Sequence, residues 1–199
     1  MKSKIFALIV ALLPLQAVAQ QAEVPLAVRN AGAQSCDDLR KVYTQQGFVN
    51  EKTAFLQWMA GYVTAVARLN SVIDVFPIKD STQMVQMVIL VCGERPQLTV
   101  ESAVLETAAR LRPYWVKGSA NVLTLSSNET KVGYYEASVK PLQQALKDAG
   151  APVVVDGAYG NQTGNALSRL SVGAGLPPTL VPNGTLLYLL TRPQQKPKQ

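Results

Sequence analysis

The stretch that most constrains this chain is 142–163, which has the sequence LQQALKDAGAPVVVDGAYGNQT. Its first half carries apolar residues at three- and four-residue spacing, which predicts one face of an amphipathic helix. Gly150 then ends that helix, because the residue just after a helix commonly has a left-handed backbone conformation, which glycine adopts easily. Asp156 and Gly157 predict a turn, since Asp bonds the backbone ahead of it and Gly accepts a positive φ.

The residues on either side of this stretch predict how its two helices begin. Ser138 is placed to cap the first helix, and Pro141 is tolerated in a first turn. Gly160 predicts a second bend, and Thr163 is placed to cap the helix that begins there. The stretch therefore predicts a helix, a tight turn, a bend and a second helix.

This order of residues resembles the small peptidoglycan-binding module of bacterial cell-wall proteins. The family's pattern is Leu-Gln, Leu three residues on, Gly four beyond it, and then Asp-Gly-x-aromatic-Gly-x-x-Thr. The matching positions are Leu142, Gln143, Leu146, Gly150, Asp156, Gly157, Tyr159, Gly160 and Thr163. The resemblance covers about 134–191 and implies a three-helix module with peptidoglycan as its partner. The chain departs from the pattern at Leu170-Ser171, where the family usually has Phe-Gln.

Three aromatic and acidic residues are candidates for direct contact with such a ligand. Asp156 either caps the Asp-Gly turn or lines a groove for glycan or peptide, and we favour the structural role. Tyr159 either packs on the core or offers an apolar face to a sugar ring, and both interpretations stay open. Trp115 follows a helix and is a weaker candidate for contact.

The beginning of the chain has the features of a signal peptide. Lys2 and Lys4 precede an apolar run, 5–15, and Ala17-Val18-Ala19 fits a cleavage site. The run is too short to span a bilayer, which takes about 20 residues. We predict that 1–19 is removed and that the protein is periplasmic. A flexible leader, 20–34, and a disordered tail, 192–199, complete the predicted ends.

The chain contains two cysteines, Cys36 and Cys92. An even number of cysteines in an oxidising compartment favours a disulfide bond. The two residues form no Cys-x-x-Cys motif, so a structural bridge is preferred to a reactive thiol pair. Closing a loop of this length stabilises the fold by about 3–4 kcal/mol in the chain-entropy model.

The segment 35–113 predicts four helices. Ser35 is placed to cap the first, and the fourth begins at or near Thr99. The third, 84–92, is apolar nearly all round, which predicts deep burial. The second has an apolar stripe formed by Phe55, Trp58, Met59, Tyr62, Val63, Val66 and Leu69.

The predicted fold is mainly α and has two domains. A four-helix N-terminal domain, 35–113, is tied by one disulfide. A polar, turn-rich linker, 114–133, follows it, in which 122–125 is able to pack as a short strand. The three-helix peptidoglycan-binding-like domain, 134–191, comes last.

The N-terminal segment resembles two groups of small exported helical proteins. They are the acid-stress chaperones of the HdeA-like group and the type VI immunity proteins of the Rap1a/Tai-like group. The residues that carry the resemblance are Cys36, the run 58–63, Val91, Cys92, Pro96 and Ala103. The resemblance implies a chaperone or immunity function only through the fold.

Several kinds of chemistry are excluded by composition. The chain has no histidine, which removes Ser-His-Asp and Cys-His nucleophilic sites and zinc sites of the histidine type. Glu101-Ser102 is similar to the catalytic Glu-Ser of lytic transglycosylases, but a carboxylate at a helix start explains it better. We therefore predict no catalytic residues, no metal and no cofactor.

The charge of the chain gives little support for nucleic acid as a partner. Without Lys2 and Lys4, 17 of the 19 basic residues remain against 13 acidic ones, a net charge of +4. Nucleic-acid binding requires basic residues clustered with aromatic ones, and no such cluster is present in the sequence.

Three functional hypotheses follow from these patterns. The first is a non-enzymatic periplasmic protein that docks on peptidoglycan and presents a helical domain to another envelope protein. The second is an immunity, inhibitor or acid-stress chaperone protein that the module tethers to the wall. The third, a wall hydrolase, is disfavoured by the missing histidines.

Overall fold

The structure is a computed structural model that describes residues 27–192. The predicted signal peptide, 1–19, and the predicted tail beyond Arg192 lie outside the described residues. Within them the fold is mainly helical, as predicted. The elements are α1 Cys36–Thr44, α2 Val49–Leu69, α3 Ser81–Glu94, α4 Val100–Arg110, β1 Val122–Ser127, β2 Thr130–Tyr135, α5 Val139–Asp148, α6 Asn161–Gly173 and α7 Gly184–Thr191.

Two of the predicted helix caps are confirmed. The Oγ of Ser35 accepts a hydrogen bond from the backbone N–H of Asp38 at 3.1 Å, and the Asp38 carboxylate accepts one from the backbone of Ser35 at 3.3 Å. This reciprocal pair is a capping box, which satisfies two orphan donors at the start of α1. Thr99 caps α4 by accepting from the backbone N–H of Ser102 at 3.2 Å.

Two other predicted caps are wrong. Ser138 precedes α5, but its hydroxyl donates to the carbonyl oxygen of Tyr114 at 2.8 Å and makes no cap bond. Thr163 lies inside α6, which begins at Asn161 after an extended Gly160. Both side chains are buried, and tertiary partners have taken the hydrogen bonds that a local cap would use.

The disulfide between Cys36 and Cys92 is confirmed. It joins the first residue of α1 to the last turn of α3 and closes a sequence separation of 56 residues. Both cysteines are fully buried, and the protein has no free thiol. The bridge therefore lies within the core and ties two helices that also pack against each other.

The segment 114–133, expected to be a linker, contains β1 and the first four residues of β2. The two strands form an antiparallel hairpin that pairs Val122 with Tyr135 at one end and Ser127 with Thr130 at the other. Isolated bridges join Val116 to Asp74 and Tyr134 to Ile78. The hairpin is thereby attached to the connection between α2 and α3.

One hydrophobic core includes residues from both halves of the chain. Helix α7 packs on α3, and α5 packs on α6 and α7. Buried side chains of α3, such as Met87, belong to the same cluster as Leu142 of α5 and Leu187 of α7. The two-domain division remains a prediction, and in this structure the two segments share their interior.

The edges of the N-terminal segment differ from the expected pattern in two places. The predicted stripe of α2 is buried at Phe55 and Met59, but Leu69 at its end is 85% exposed. Part of the predicted flexible leader, Asn30–Ala33, forms a 3-10 turn that packs against α2 and α4. Ala31 is buried there.

Over the described range, none of the helices is both long and apolar enough to cross a bilayer.

Candidate functional site

Three residues of the 142–163 pattern, Asp156, Gly157 and Thr163, meet at the side-chain amide of Gln143. Gln143 lies on α5 and is only 1% exposed. Its Nε2 donates to Oδ1 of Asp156 at 2.9 Å, to the carbonyl oxygen of Ala158 at 3.0 Å and to Oγ1 of Thr163 at 3.2 Å. Its Oε1 accepts from the backbone N–H of Gly157 at 2.8 Å. One buried amide therefore holds the turn and the start of α6 together.

Asp156 is part of this node and of its own turn. Its Oδ1 also accepts from the backbone N–H of Ala158 at 2.8 Å, which is the local bond that stabilises an Asp-Gly turn. The hydrogen bond from Gln143, followed by the one from Ala158, holds the pKa of Asp156 below its usual value. The geometry supports the structural interpretation of Asp156.

The two pattern glycines on either side of Tyr159 have different conformations. Gly157 has a φ of +87°, in the left-handed region that favours glycine, as expected for this turn. Gly160 has a φ of −134° and a ψ of −172°, which is extended backbone that any residue adopts. The turn therefore needs glycine at 157 only.

Tyr159 is half-buried and packs against the core. Its hydroxyl donates to the carbonyl oxygen of Leu180 at 2.5 Å, which ties the turn to the segment before α7. Burial raises the pKa of this hydroxyl, so it stays protonated at neutral pH.

Gln162 is a further structural residue that the sequence pattern did not single out. Its Oε1 accepts from the backbone N–H of Val154 at 3.1 Å, and its Nε2 donates to the carbonyl oxygen of Pro152 at 2.9 Å. The extended run after Gly150 is thereby fixed to α6 without a partner strand. Gln143 does belong to the sequence pattern, but the pattern assigned it no structural role.

A groove of about 1270 Å³, which we call the α5–α7 groove, is lined by other residues of α5 and α6 and by none of the residues of this node. Its walls are α5, the 149–152 loop, α6 and the end of α7. Three further lining residues come from α4 and the turn after it: Arg110, Pro113 and Tyr114. The charged side chains that line it are Arg110, Asp148, Arg169 and Arg192.

Arg110 is held by two carboxylates. Its Nη2 donates to Oε2 of Glu94 at 2.8 Å and to Oε1 of Glu106 at 2.6 Å. Burial alone would lower the pKa of Arg110, but its hydrogen bonds to the two glutamates raise it. Its side chain is 8% exposed, and its Nη1 is buried with no hydrogen-bond acceptor among the described residues.

The hydroxyl of Tyr114, another residue that lines the groove, is a second buried polar atom without a partner. The residue is 2% exposed, and its hydroxyl has no hydrogen-bond partner in the described part of the chain. Burial, and secondarily the negative charge of Asp148, raises the pKa of Tyr114. The hydroxyl is therefore a donor at neutral pH.

A second pocket, of about 420 Å³, lies between the β1–β2 hairpin, α3 and the segment before α7. No charged side chain lines it, and its polar groups are amides and hydroxyls. Ser171 lines this pocket, and its buried hydroxyl has no partner within the described residues. Its polar lining residues are Gln83, Gln86, Ser127, Asn128, Thr130, Ser171, Thr179, Asn183 and Thr185.

The remaining candidates from the sequence lie elsewhere. Glu101 is in the first turn of α4, and its Oε1 accepts from the hydroxyl of Tyr62 at 2.6 Å. Trp58 stacks on Tyr62 with ring centroids 4.8 Å apart. The indole of Trp115 donates to the carbonyl oxygen of Ala108 at 2.9 Å.

In residues 27–192, no three potential metal ligands among His, Cys, Asp and Glu come together.

Comparisons of this chain with protein-family models, with curated proteins and with solved structures found no match. The resemblances to the peptidoglycan-binding module and to the exported helical proteins therefore remain predictions from the sequence.

Proposed function

We propose that this chain is a non-enzymatic periplasmic protein that binds peptidoglycan through the segment 134–191. The helical segment 35–113 would then contact another protein of the cell envelope. The observation that carries the proposal is the node at Gln143. Asp156, Gly157 and Thr163, which the sequence pattern selects up to 20 residues away, all form hydrogen bonds with this one buried amide.

The disulfide supports the export part of the proposal. Bridges such as Cys36–Cys92 form and persist in oxidising compartments, which include the bacterial periplasm. The features of a signal peptide in 1–19 point in the same direction. Together they support export to a compartment in which peptidoglycan is accessible.

The absence of an activity is also part of the proposal. The chain contains no histidine, and Glu101, the residue most similar to a catalytic acid, is bonded by Tyr62 at a helix start. A zymogram on cell-wall gels checks this directly, and a cleared band from the purified protein would contradict it.

Sedimentation with purified sacculi tests the binding itself. The protein lacking 1–19 is mixed with sacculi at low and at high salt, and the pellet is assayed for protein. We expect the wild type to pellet, and Gly157→Val to lose binding because its left-handed turn excludes a β-branched side chain. Gly160→Ala is the matched control, since its backbone is extended and a Cβ meets nothing within 4 Å.

A wild-type protein that stays in the supernatant at both salt concentrations contradicts the proposed function. Equal pelleting of wild type and Gly157→Val also contradicts the role of the turn, provided that circular dichroism shows a loosened fold in the variant.

A further inference from the structure

The hairpin has one backbone edge, on β1, that points away from β2. Opposite residues in an antiparallel pair alternate between pairs that exchange hydrogen bonds and pairs that do not. On β2, the backbone of Gly133 and of Tyr135 bonds the segment 77–79, on the side away from β1. The residues opposite them on β1 therefore direct their own N–H and C=O groups away from β2. The residues of β1 with this orientation, which we call the β1 edge, are Val122, Thr124 and Ser126.

The β1 edge has no partner strand in the described part of the chain. The sheet has two strands and ends at β1, and none of the isolated bridges involves this strand. The side chains of the three edge residues are exposed. Within residues 27–192, their outward N–H and C=O groups form no hydrogen bond to another segment. Such a row of unpaired backbone groups is a template for a further strand.

The β1 edge lacks the features that usually keep edge strands from pairing. Natural edges are blunted by charged side chains, by proline or by a β-bulge. β1 contains neither a charged residue nor a proline, and its register with β2 is unbroken. The sequence from Gly118 to Asn128 contains no charged residue at all. A second strand of the same sequence therefore meets no like-charge repulsion along this edge.

The central run of β1 is complementary to a second copy of itself. Leu123-Thr124-Leu125 reads the same in both directions. When two copies pair antiparallel about Thr124, the two threonines lie opposite each other, and Leu123 of each copy lies opposite Leu125 of the other. Both leucines are half-buried on the core face of the hairpin, so their remaining exposed surface is covered by the pairing. Threonine pairs and apolar pairs directly opposite each other stabilise sheets.

We propose that the β1 edge binds the β1 edge of a second copy of this chain, so that two hairpins form one antiparallel sheet across a two-fold axis. The dimer is closed, because the outer side of β2 is already bonded to the segment 77–79. It goes beyond the proposed function, since the pairing requires no peptidoglycan.

Analytical ultracentrifugation of the protein lacking 1–19 tests the inference. A concentration series is sedimented, and the fraction of dimer is measured at each concentration. We expect a shift from monomer to dimer as the concentration rises, because pairing through one short strand gives a small and reversible interface. Salt should change the midpoint little, since no charged side chain lies on the strand.

Two charged variants test the pairing about Thr124. Thr124→Lys places two like charges opposite each other, and Thr124→Glu does the same with the other sign. Each is expected to weaken self-association about tenfold, because like charges directly opposite are unfavourable in a sheet. An equimolar mixture of the two should dimerise again, since its charges are opposite. Thr124 is exposed and lies opposite Gly133, so both variants should melt close to the wild type. Thr53→Lys, at an exposed position of α2, is the matched control and should dimerise as the wild type does.

Hydrogen exchange followed by NMR locates the contact on the strand. In the monomer, the amides of Val122, Thr124 and Ser126 face away from β2, whereas those of Leu123 and Leu125 bond it. We expect exchange of the first three amides to slow as the concentration rises. The other two should be protected throughout, since they are already paired.

Several outcomes would overturn the dimer. A wild type that stays monomeric at every concentration does so, and the β1 edge is then either open to water or taken by another chain. Self-association that Thr124→Lys leaves unchanged, or edge amides that exchange at the same rate at every concentration, places the contact elsewhere. A mixture of the two charged variants that stays monomeric contradicts the pairing about Thr124. Assemblies larger than two copies contradict the closed arrangement.

Discussion

Gly184, the first residue of α7, lies so close to α3 that a Cβ atom added to it would be 2.1 Å from the carbonyl oxygen of Gln83. The side chain of Gln83 accepts a hydrogen bond from the backbone N–H of Gly184 at 3.0 Å. Residues about 100 positions apart are thus in backbone contact. This contact brings the last helix onto the buried face of a helix of the N-terminal segment.

Replacing Gly184 with alanine is expected to destabilise the whole protein. The added methyl group meets backbone, which does not rotate away, and overpacking of this kind typically costs about 1–3 kcal/mol. Denaturant unfolding followed by circular dichroism measures the loss. Gly173→Ala, at the end of α6, is the control, because a Cβ there meets nothing within 4 Å. A Gly184→Ala protein as stable as the wild type would contradict the close backbone contact between α7 and α3.

Replacing Gln143 with leucine is expected to destabilise the segment around the turn. Leucine is similar in size to glutamine, but it leaves the backbone N–H of Gly157 without its acceptor. An unsatisfied buried group costs about 1–3 kcal/mol. Gln144→Leu is the control, since the exposed Gln144 bonds only Asp148 on its own helix. Equal stabilities of the two variants in urea would contradict the central role of Gln143.

The Asp156 carboxylate is expected to make stability depend on acid pH. Its pKa is lower in the folded protein than in the unfolded chain, where it is about 3.9, so the unfolded state binds the proton more readily. The contribution is therefore complete above pH about 4 and is lost as the pH falls through the folded-state pKa.

Asp156→Asn keeps an acceptor oxygen but removes this titration. Melting temperatures from pH 2 to 7 should show a shallower acid loss in the variant than in the wild type. Part of the loss remains, because the pKa of Glu94 is also lowered: burial would raise it, but hydrogen bonds from Tyr188 and Arg110 prevail. Identical pH profiles of the two proteins would contradict the argument.

Reduction of the Cys36–Cys92 bridge is expected to lower the free energy of unfolding by about 3–4 kcal/mol. The reason is the entropy that the unfolded chain regains when a loop of this length opens. Thiol labelling of the denatured, unreduced protein should detect no free thiol. A labelled fraction near two thiols per chain would refute the bridge.

Limited trypsin digestion is expected to distinguish a shared core from two independent domains. Lys117 lies in an exposed connection before β1, whereas Lys131 is paired within the hairpin, so cleavage should occur first after Lys117. Because α3 and α7 share one core, the two fragments should then elute together in gel filtration. Separate elution of a folded C-terminal fragment would instead support the division predicted at 114–133.

Much of the local structure was predictable because its causes lie within a few residues. Ser35 and Thr99 cap helices through bonds to backbone three positions ahead. The turn at Gly157 depends on a positive φ and on the neighbouring aspartate. Where a tertiary partner competed for a hydroxyl, as at Ser138 and Thr163, the local prediction failed.

The candidate groove was not predictable from the same patterns. Arg110 and Tyr114 are separated from Arg169 and Arg192 by more than 50 residues, and no local spacing relates them. Their convergence depends on how the hairpin and α5 return the chain to the end of α4. Sequence periodicity indicates which face of a helix is buried, but it does not indicate what buries it.

The sequence by itself thus determined the mainly helical content, the caps at Ser35 and Thr99, the Asp-Gly turn and the cysteines available for a bridge. Short-range sterics and hydrogen bonds govern these features. Only the tertiary structure decided that Gln143 hydrogen-bonds to Asp156, Gly157 and Thr163. It also decided that Gly184 packs α7 against α3 and that Arg110 and Tyr114 line the same groove as α5 and α7. Those contacts join distant positions, and their stability comes from burying apolar surface and satisfying polar groups across the whole fold.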